Sequence, residues 1–167
     1  MRLDHIAYRV KDRHKSASFF QRMFGYTIGA EFDIEFDDGS VAECYALVSP
    51  LVPVTLVHDG PEIFISEGSP GSIVDDWVNE RGNGGIHHIA YRVKDIEEVV
   101  DEWREAGVEF LSDGVIDCPD DKLRQIFTKP LEETGGVIIE LIERGDKGFC
   151  QNSVKALMES TDESGNQ

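Results

Sequence analysis

The eight residues His5-Ile6-Ala7-Tyr8-Arg9-Val10-Lys11-Asp12 return, letter for letter, as His88-Ile89-Ala90-Tyr91-Arg92-Val93-Lys94-Asp95. A repeat 83 residues downstream in a chain of 167 marks a duplication of about half the molecule. After each copy, apolar residues recur at helical spacing: Phe19, Phe20, Met23 and Phe24 in the first, Val99, Val100, Trp103 and Ala106 in the second. Gly25 and Gly107 then stand where helices commonly stop.

Beyond these glycines the pattern turns to strand. The first copy offers Thr27 to Phe36, Val41 to Val48, Val52 to Val57 and Glu62 to Ser66; the second offers Glu109 to Leu111, Arg124 to Thr128 and Val137 to Ile142. Each copy therefore reads approximately as βαβββ. Residues 1–71 form the first module and 86–146 the second. Between them, residues 72–85 hold a linker helix from Ser72 to Arg81, with Ile73, Val74, Trp77 and Val78 inward, and a glycine-rich turn. Residues 147–167 give a short C-terminal helix, Ser153 to Met158, and a polar, frayed tail. A four-stranded sheet with one helix cannot close on itself. The fold expected is α+β: two tandem modules edge to edge in a curved eight-stranded mixed sheet, a cup with its helices outside.

Composition narrows the partners. With 16 Lys plus Arg against 33 Asp plus Glu, the net charge of −17 leaves no basic surface for a nucleic acid backbone. No apolar run approaches the roughly 20 residues that cross a bilayer, and no leader opens the chain, so neither membrane nor secretion is expected. Three cysteines, Cys44, Cys118 and Cys150, at unrelated spacings argue against a disulfide framework and a cysteine zinc site. A reducing cytoplasm is the compartment expected.

Strand alternation puts His5, Ala7 and Arg9 on one face and Ile6, Tyr8 and Val10 on the other, and the second copy repeats the split. His5 and His88 then face into the cup at equivalent positions. Glu140 interrupts the run Val137-Ile138-Ile139-Glu140-Leu141-Ile142, where a carboxylate is costly unless it meets a cation. That cation is either a metal ion or the guanidinium of Arg9 or Arg92. Two imidazoles and a carboxylate form a facial triad with open positions, a set that favours non-haem Fe(II) and also accepts Zn, Co, Ni or Mn. His87 points to the opposite face, and His14 and His58 lie in polar surroundings.

Over nearly its whole length the chain resembles the vicinal oxygen chelate superfamily of glyoxalases, bleomycin-resistance proteins and dioxygenases. The segment Gly85-Ile86-His87-His88-Ile89-Ala90, with Gly135-Gly136-Val137-Ile138-Ile139-Glu140-Leu141, is similar to methylmalonyl-CoA epimerases. The segment Gln125-Ile126-Phe127-Thr128-Lys129-Pro130 resembles the C-terminal catalytic half of 4-hydroxyphenylpyruvate dioxygenases, as do Glu140 to Arg144, Lys147-Gly148-Phe149 and Lys155-Ala156-Leu157. Either resemblance implies metal ligation by His5, His88 and Glu140. The dioxygenase resemblance implies that Gln125 and Phe127 line a substrate pocket, and alternation places both on one face.

Departures are equally informative. A second aromatic clamp falls at Val154, and two pocket glutamines fall at His87 and Ile73, which implies a different or smaller substrate. On the epimerase side a further ligand position falls at Phe64, leaving three protein ligands. The activity implied is an Fe(II) dioxygenase acting on a small 2-oxo acid. The alternatives are a divalent-metal epimerase or isomerase, a glyoxalase-type lyase, and a non-catalytic small-molecule binding protein, often a homodimer in this superfamily. Proton transfer would need a base, for which Glu43 and Glu140 are the candidates, followed by Glu67.

Overall fold

The computed structural model describes residues 1–50 and 60–161. The expected strand Val52 to Val57, His58 and the tail from residue 162 lie outside the described residues. The chain divides into two compact units, residues 4–87 and residues 88–167 with 1–3, and the strands cut by these bounds are described with the unit that holds their repeated octapeptide.

The first unit runs β1 (Arg2–Val10), α1 (Arg13–Phe24), β2 (Thr27–Glu35), β3 (Val41–Val48), β4 (Glu62–Gly68) and α2 (Ile73–Glu80). Its strands lie in the order β2-β3-β4-β1, with β1 parallel to β4 and the other pairs antiparallel. Ile6, Tyr8 and Val10 pack with Tyr45, Leu47, Ile63 and Ile65 beneath Ala17 and Phe20 of α1. Phe19, Met23 and Phe24 are exposed instead, because Arg13 and Ala17 define the buried side of that helix. Gly84, at φ +77°, follows α2 where the Arg9 carbonyl approaches so closely that a Cβ would collide with it.

The second unit runs β5 (Gly84–Arg92), α3 (Ile96–Glu105), β6 (Ile116–Asp117), β7 (Arg124–Phe127), β8 (Ile138–Glu143) and α4 (Gln151–Ser160). Its order is β5-β8-β7-β6, again with one parallel pair, β5 with β8. The α+β class, the eight strands of mixed direction and the tandem βαβββ pattern are as read from the sequence. The expected strand Glu109 to Leu111 is reduced to one bridge, Phe110 with Thr128, and the second strand of this module is β6.

The duplication extends to single hydrogen bonds. Asp12 caps α1 by accepting from the Lys15 amide, and Asp95 caps α3 by accepting from the Glu98 amide. At the next position the Arg13 amide donates to Glu67 of β4, and the Ile96 amide donates to Glu143 of β8. These carboxylates satisfy helix N-termini that would otherwise expose unpaired amides.

The two helices of the second unit take opposite sheet faces. Ile96 and Val100 of α3 pack with Val93, Ile126 and Leu141. Leu157 of α4 packs with Phe127 and Ile138, and Cys150, the N-cap of α4, packs with Ala90, Leu123 and Ile142. Cys150 is also bonded to Cys118, Cα atoms 6.1 Å apart. This corrects the expectation of free thiols, because the loop before β7 and the start of α4 converge although 32 residues separate the two cysteines. The cysteine argument for a reducing compartment goes with it. No helix among the described residues is long and apolar enough to cross a membrane.

Candidate functional site

Glu140 lies in the middle of β8 between Ile138 and Ile142, facing α4, and is only 2% exposed. The fold places it opposite Ala90 of β5 on one side and Phe127 of β7 on the other. Its Oε2 stands 3.1 Å from Nε2 of His88, a half-buried imidazole whose ring contacts that of Phe127 at 4.7 Å between centroids. The sequence-predicted residues His88, Glu140 and Phe127 therefore meet on one face of one unit. Gln125 is on the same face, two residues before Phe127 and fully buried.

His5 occupies in β1 the place that His88 occupies in β5. Its Nδ1 is 2.8 Å from Oδ1 of Asp4, whose side chain is 0% exposed. A carboxylate on Nδ1 fixes the proton there and leaves Nε2 as the lone-pair nitrogen, the arrangement that orients imidazole ligands of metal ions. The sequence offers little signal for Asp4, because His87 stands at the equivalent place in the second copy and gives no carboxylate to compare. Glu62, buried and directly opposite His5 in the β1–β4 register, was missed as well. It stands at the start of an apolar strand, where a charge carries no periodic signal of burial.

The registers also locate the counterpart of Glu140. Ala7 faces Phe64 as Ala90 faces Glu140, so Phe64 fills the carboxylate position in the first unit, in agreement with the sequence alignment. Its ring lies 6.5 Å from that of His5.

Glu43 does not join this group. It projects from β3 on the side of α1, where Arg13 donates to its Oε1 at 3.1 Å, and its side chain is 48% exposed. Glu67 is engaged with the α1 N-terminus. His87 is buried against Trp77 of α2. Arg124 is drawn to the edge by Asp117 and Glu97, whose hydrogen bonds raise its pKa, and exposed Lys129 pairs with Glu109, lowering that carboxyl. Arg9 is buried, 5.6 Å from the Trp77 ring. Cys44 is buried and free, its thiol pushed up to about 12 by burial, which excludes a ready nucleophile.

A family profile described as "Glyoxalase/Bleomycin resistance protein/Dioxygenase superfamily" matches residues 4–124. The chain belongs to this superfamily. Among its relatives is an ethylmalonyl-CoA/methylmalonyl-CoA epimerase of Cereibacter sphaeroides, 34% identical over 113 residues, covering 68% of this chain and 76% of the epimerase. A 4-hydroxyphenylpyruvate dioxygenase of Legionella pneumophila (strain Corby) is 27% identical over 192 residues, covering 95% of this chain and 52% of the dioxygenase. This superfamily member thus spans about half the length of that relative. A variant of 4-hydroxymandelate synthase from Streptomyces coelicolor shares the fold, with a TM-score of 0.81 at 22% identity, over 99% of this chain and 54% of that one. Relatives in the superfamily thus include both dioxygenases and epimerases.

Proposed function

We propose that the protein is a mononuclear metal enzyme in which His5, His88 and Glu140 hold one divalent ion, Fe(II) by preference, and that it is a dioxygenase acting on a small 2-oxo acid. The observation that carries the reading is the buried Glu140 carboxylate, held 3.1 Å from an imidazole in the middle of an otherwise apolar strand. Burying such a charge is costly without a cation. The donor set fits a metal of the borderline class: two imidazoles, one oriented by Asp4, and one carboxylate, two of the three buried and one half-buried.

Such an ion would polarise a bound 2-oxo acid and, as Fe(II), supply electrons to dioxygen. The chain does the positioning. Asp4 holds the His5 ring in one tautomer. Phe127 stands over His88, keeps water from that imidazole and offers its ring to an apolar or aryl substituent. Phe64 in place of a second carboxylate keeps the protein ligands at three, which supports the dioxygenase reading over the epimerase.

Glu62 supports a second reading. As a buried carboxylate beside His5, it is placed to move a proton in an epimerase or isomerase. The test is metal analysis with oxygen uptake, on protein reconstituted anaerobically with Fe(II), offered alkyl and aryl 2-oxo acids beside a His88→Ala control. Uptake that vanishes in the control supports the dioxygenase. One metal per chain without uptake, together with solvent deuterium entering a substrate and lost in Glu62→Gln, turns the reading to proton transfer. Absence of stoichiometric metal leaves a small-molecule binding protein.

A further inference from the structure

Three of the four α-helices among the described residues begin at a side-chain oxygen. Asp12 caps α1, Ser72 caps α2 and Asp95 caps α3, each accepting from an amide of the first turn. The fourth begins differently. The N-cap of α4 is Cys150, no side chain caps its first turn, and Cys150 is bonded to Cys118 in the loop before β7. A covalent bond thus stands where the other helices have a hydrogen bond, and it is a bond that two electrons can open.

That bond is within reach of a small molecule. A cleft of about 230 Å³ is lined by both cysteines together with Asp120, Lys147, Phe149 and Asn152. Its walls do not depend on the disulfide. The Asp121 carboxylate accepts from the amides of Asp146 and Lys147, both at 2.9 Å, and Lys147 Nζ donates to the Asp120 carbonyl at 2.9 Å. Gly145 makes room for this contact, since a Cβ there would collide with the Asp121 carboxylate. These bonds hold residues 120–121 to residues 145–147 whether the cysteines are joined or not. What the disulfide alone secures is the chain beyond them, the start of α4.

We propose that Cys118–Cys150 is an exchange site for a small-molecule thiol, and that its reduction frees the first turns of α4. A thiolate entering the cleft beside the Lys147 ammonium attacks Sγ of Cys118, forms a mixed disulfide there and expels Cys150 as a thiolate. A second thiolate attacks the mixed disulfide, which releases Cys118 as a thiolate and the reductant as its own disulfide. Two thiols are oxidised, the cysteine pair takes up their two electrons, and the two thiol protons pass to the cysteines. Cys150 is the better leaving group because a negative sulfur at an N-cap meets the unpaired amides of the first turn. Cys118 is only 6% exposed, so the cleft suits a small thiol better than the broad contact a redox protein needs. Cys150 packs with Ala90, Leu123 and Ile142, while Leu157 keeps the other end of α4 on Phe127 and Ile138. Reduction therefore opens α4 from one end, whatever Glu140 binds.

The test uses the whole metal-free protein in glutathione buffers of graded ratio, with alkylation of free thiols, peptide mapping and amide hydrogen exchange. Cys118 and Cys150 should become alkylated together and without urea, while buried Cys44 stays unlabelled. In Cys150→Ser, oxidised glutathione should add once, at Cys118. On reduction the exchange rate of residues 151–155, taken relative to α3, should rise at least about tenfold. Cys118→Ser should show the same fast exchange with no reductant present. Reduction that needs urea, or free cysteines in air-oxidised protein, would overturn the exchange site. An equal rise in α3 and α4 would mean a loss of overall stability alone, and would overturn the release of α4.

Discussion

The sharpest consequence of the site concerns Asp4, the buried partner of His5. Its carboxylate is buried and 2.8 Å from Nδ1 of His5. A charge-assisted hydrogen bond of this kind contributes about 1.5–3 kcal/mol, and the neutral bond that Asp4→Asn would keep contributes about 0.5–1.5 kcal/mol. The difference, about 1–2 kcal/mol, corresponds to a factor of roughly 5–30 in metal dissociation constant at 1.4 kcal/mol per tenfold. Outer partners of ligating histidines fall in a similar range, about 10–100. Competition against a chromophoric chelator would measure the constant for Zn or Co, with the melting temperature of the metal-free variant read beside it. Activity should return when the metal concentration is raised by the same factor. The reasoning is refuted if the dissociation constant stays within about twofold of wild type, or if activity stays low at saturating metal.

Phe127→Leu should cost about 1–3 kcal/mol in urea unfolding, from an imperfect volume match and the lost ring contact with His88, and a change under about 0.5 kcal/mol would contradict the packing described. Reduction of Cys118–Cys150 should lower stability by about 3–4 kcal/mol on the entropy of a loop closed over 32 residues, and an unchanged unfolding midpoint in Cys150→Ala would mean the two are not joined. Cys44 gives a pH signature: below about pH 9 its thiol is neutral in both states, and above that only the unfolded chain ionises until about 12. Stability should therefore fall as pH rises through that window, by at most about 1.4 kcal/mol per unit, and Cys44→Ala should be flatter by that amount; superimposable profiles for the two proteins would refute it.

The fold was legible because the duplication carries its own punctuation. The repeated octapeptide ends in the N-cap of the next helix, Asp12 or Asp95, so strand, turn and helix start are written together. His88 and Glu140 stood out because an imidazole recurs at the same place in both copies and a carboxylate interrupts the apolar run of β8. The side of β3 that Glu43 takes was not legible. Ala42, Cys44 and Ala46 on one side of β3 and Tyr45 and Leu47 on the other are all buried, so alternation does not reveal which side a polar residue shares. What decided it was Arg13, a buried cation on α1 that only the tertiary fold brings within 3.1 Å. The pairing of Cys118 with Cys150 and the descent of α4 onto the Glu140 face were invisible for the same reason. Both depend on chain convergence across loops, not on any periodic pattern.

The two copies have kept the scaffold and divided the chemistry. The carboxylates that cap α1 and α3, Glu67 and Glu143, are equivalent, and so are His5 and His88. Around them the registers pair Phe64 with Glu140, Ala46 with Phe127 and Cys44 with Gln125. The first copy has small or apolar residues at each place where the second has a buried carboxylate, an aromatic ring or a side-chain amide. Duplication alone would favour two like sites, each with one imidazole and one carboxylate, too few donors to hold a metal firmly. Phe64 at the carboxylate position, with His5 present and Asp4 behind it, fits the proposed site instead, in which the first copy supplies a single oriented imidazole. Under the proposed function, the face that β7, β8 and α4 build around Phe127, Gln125 and Leu157 would then leave substrate recognition to the second copy.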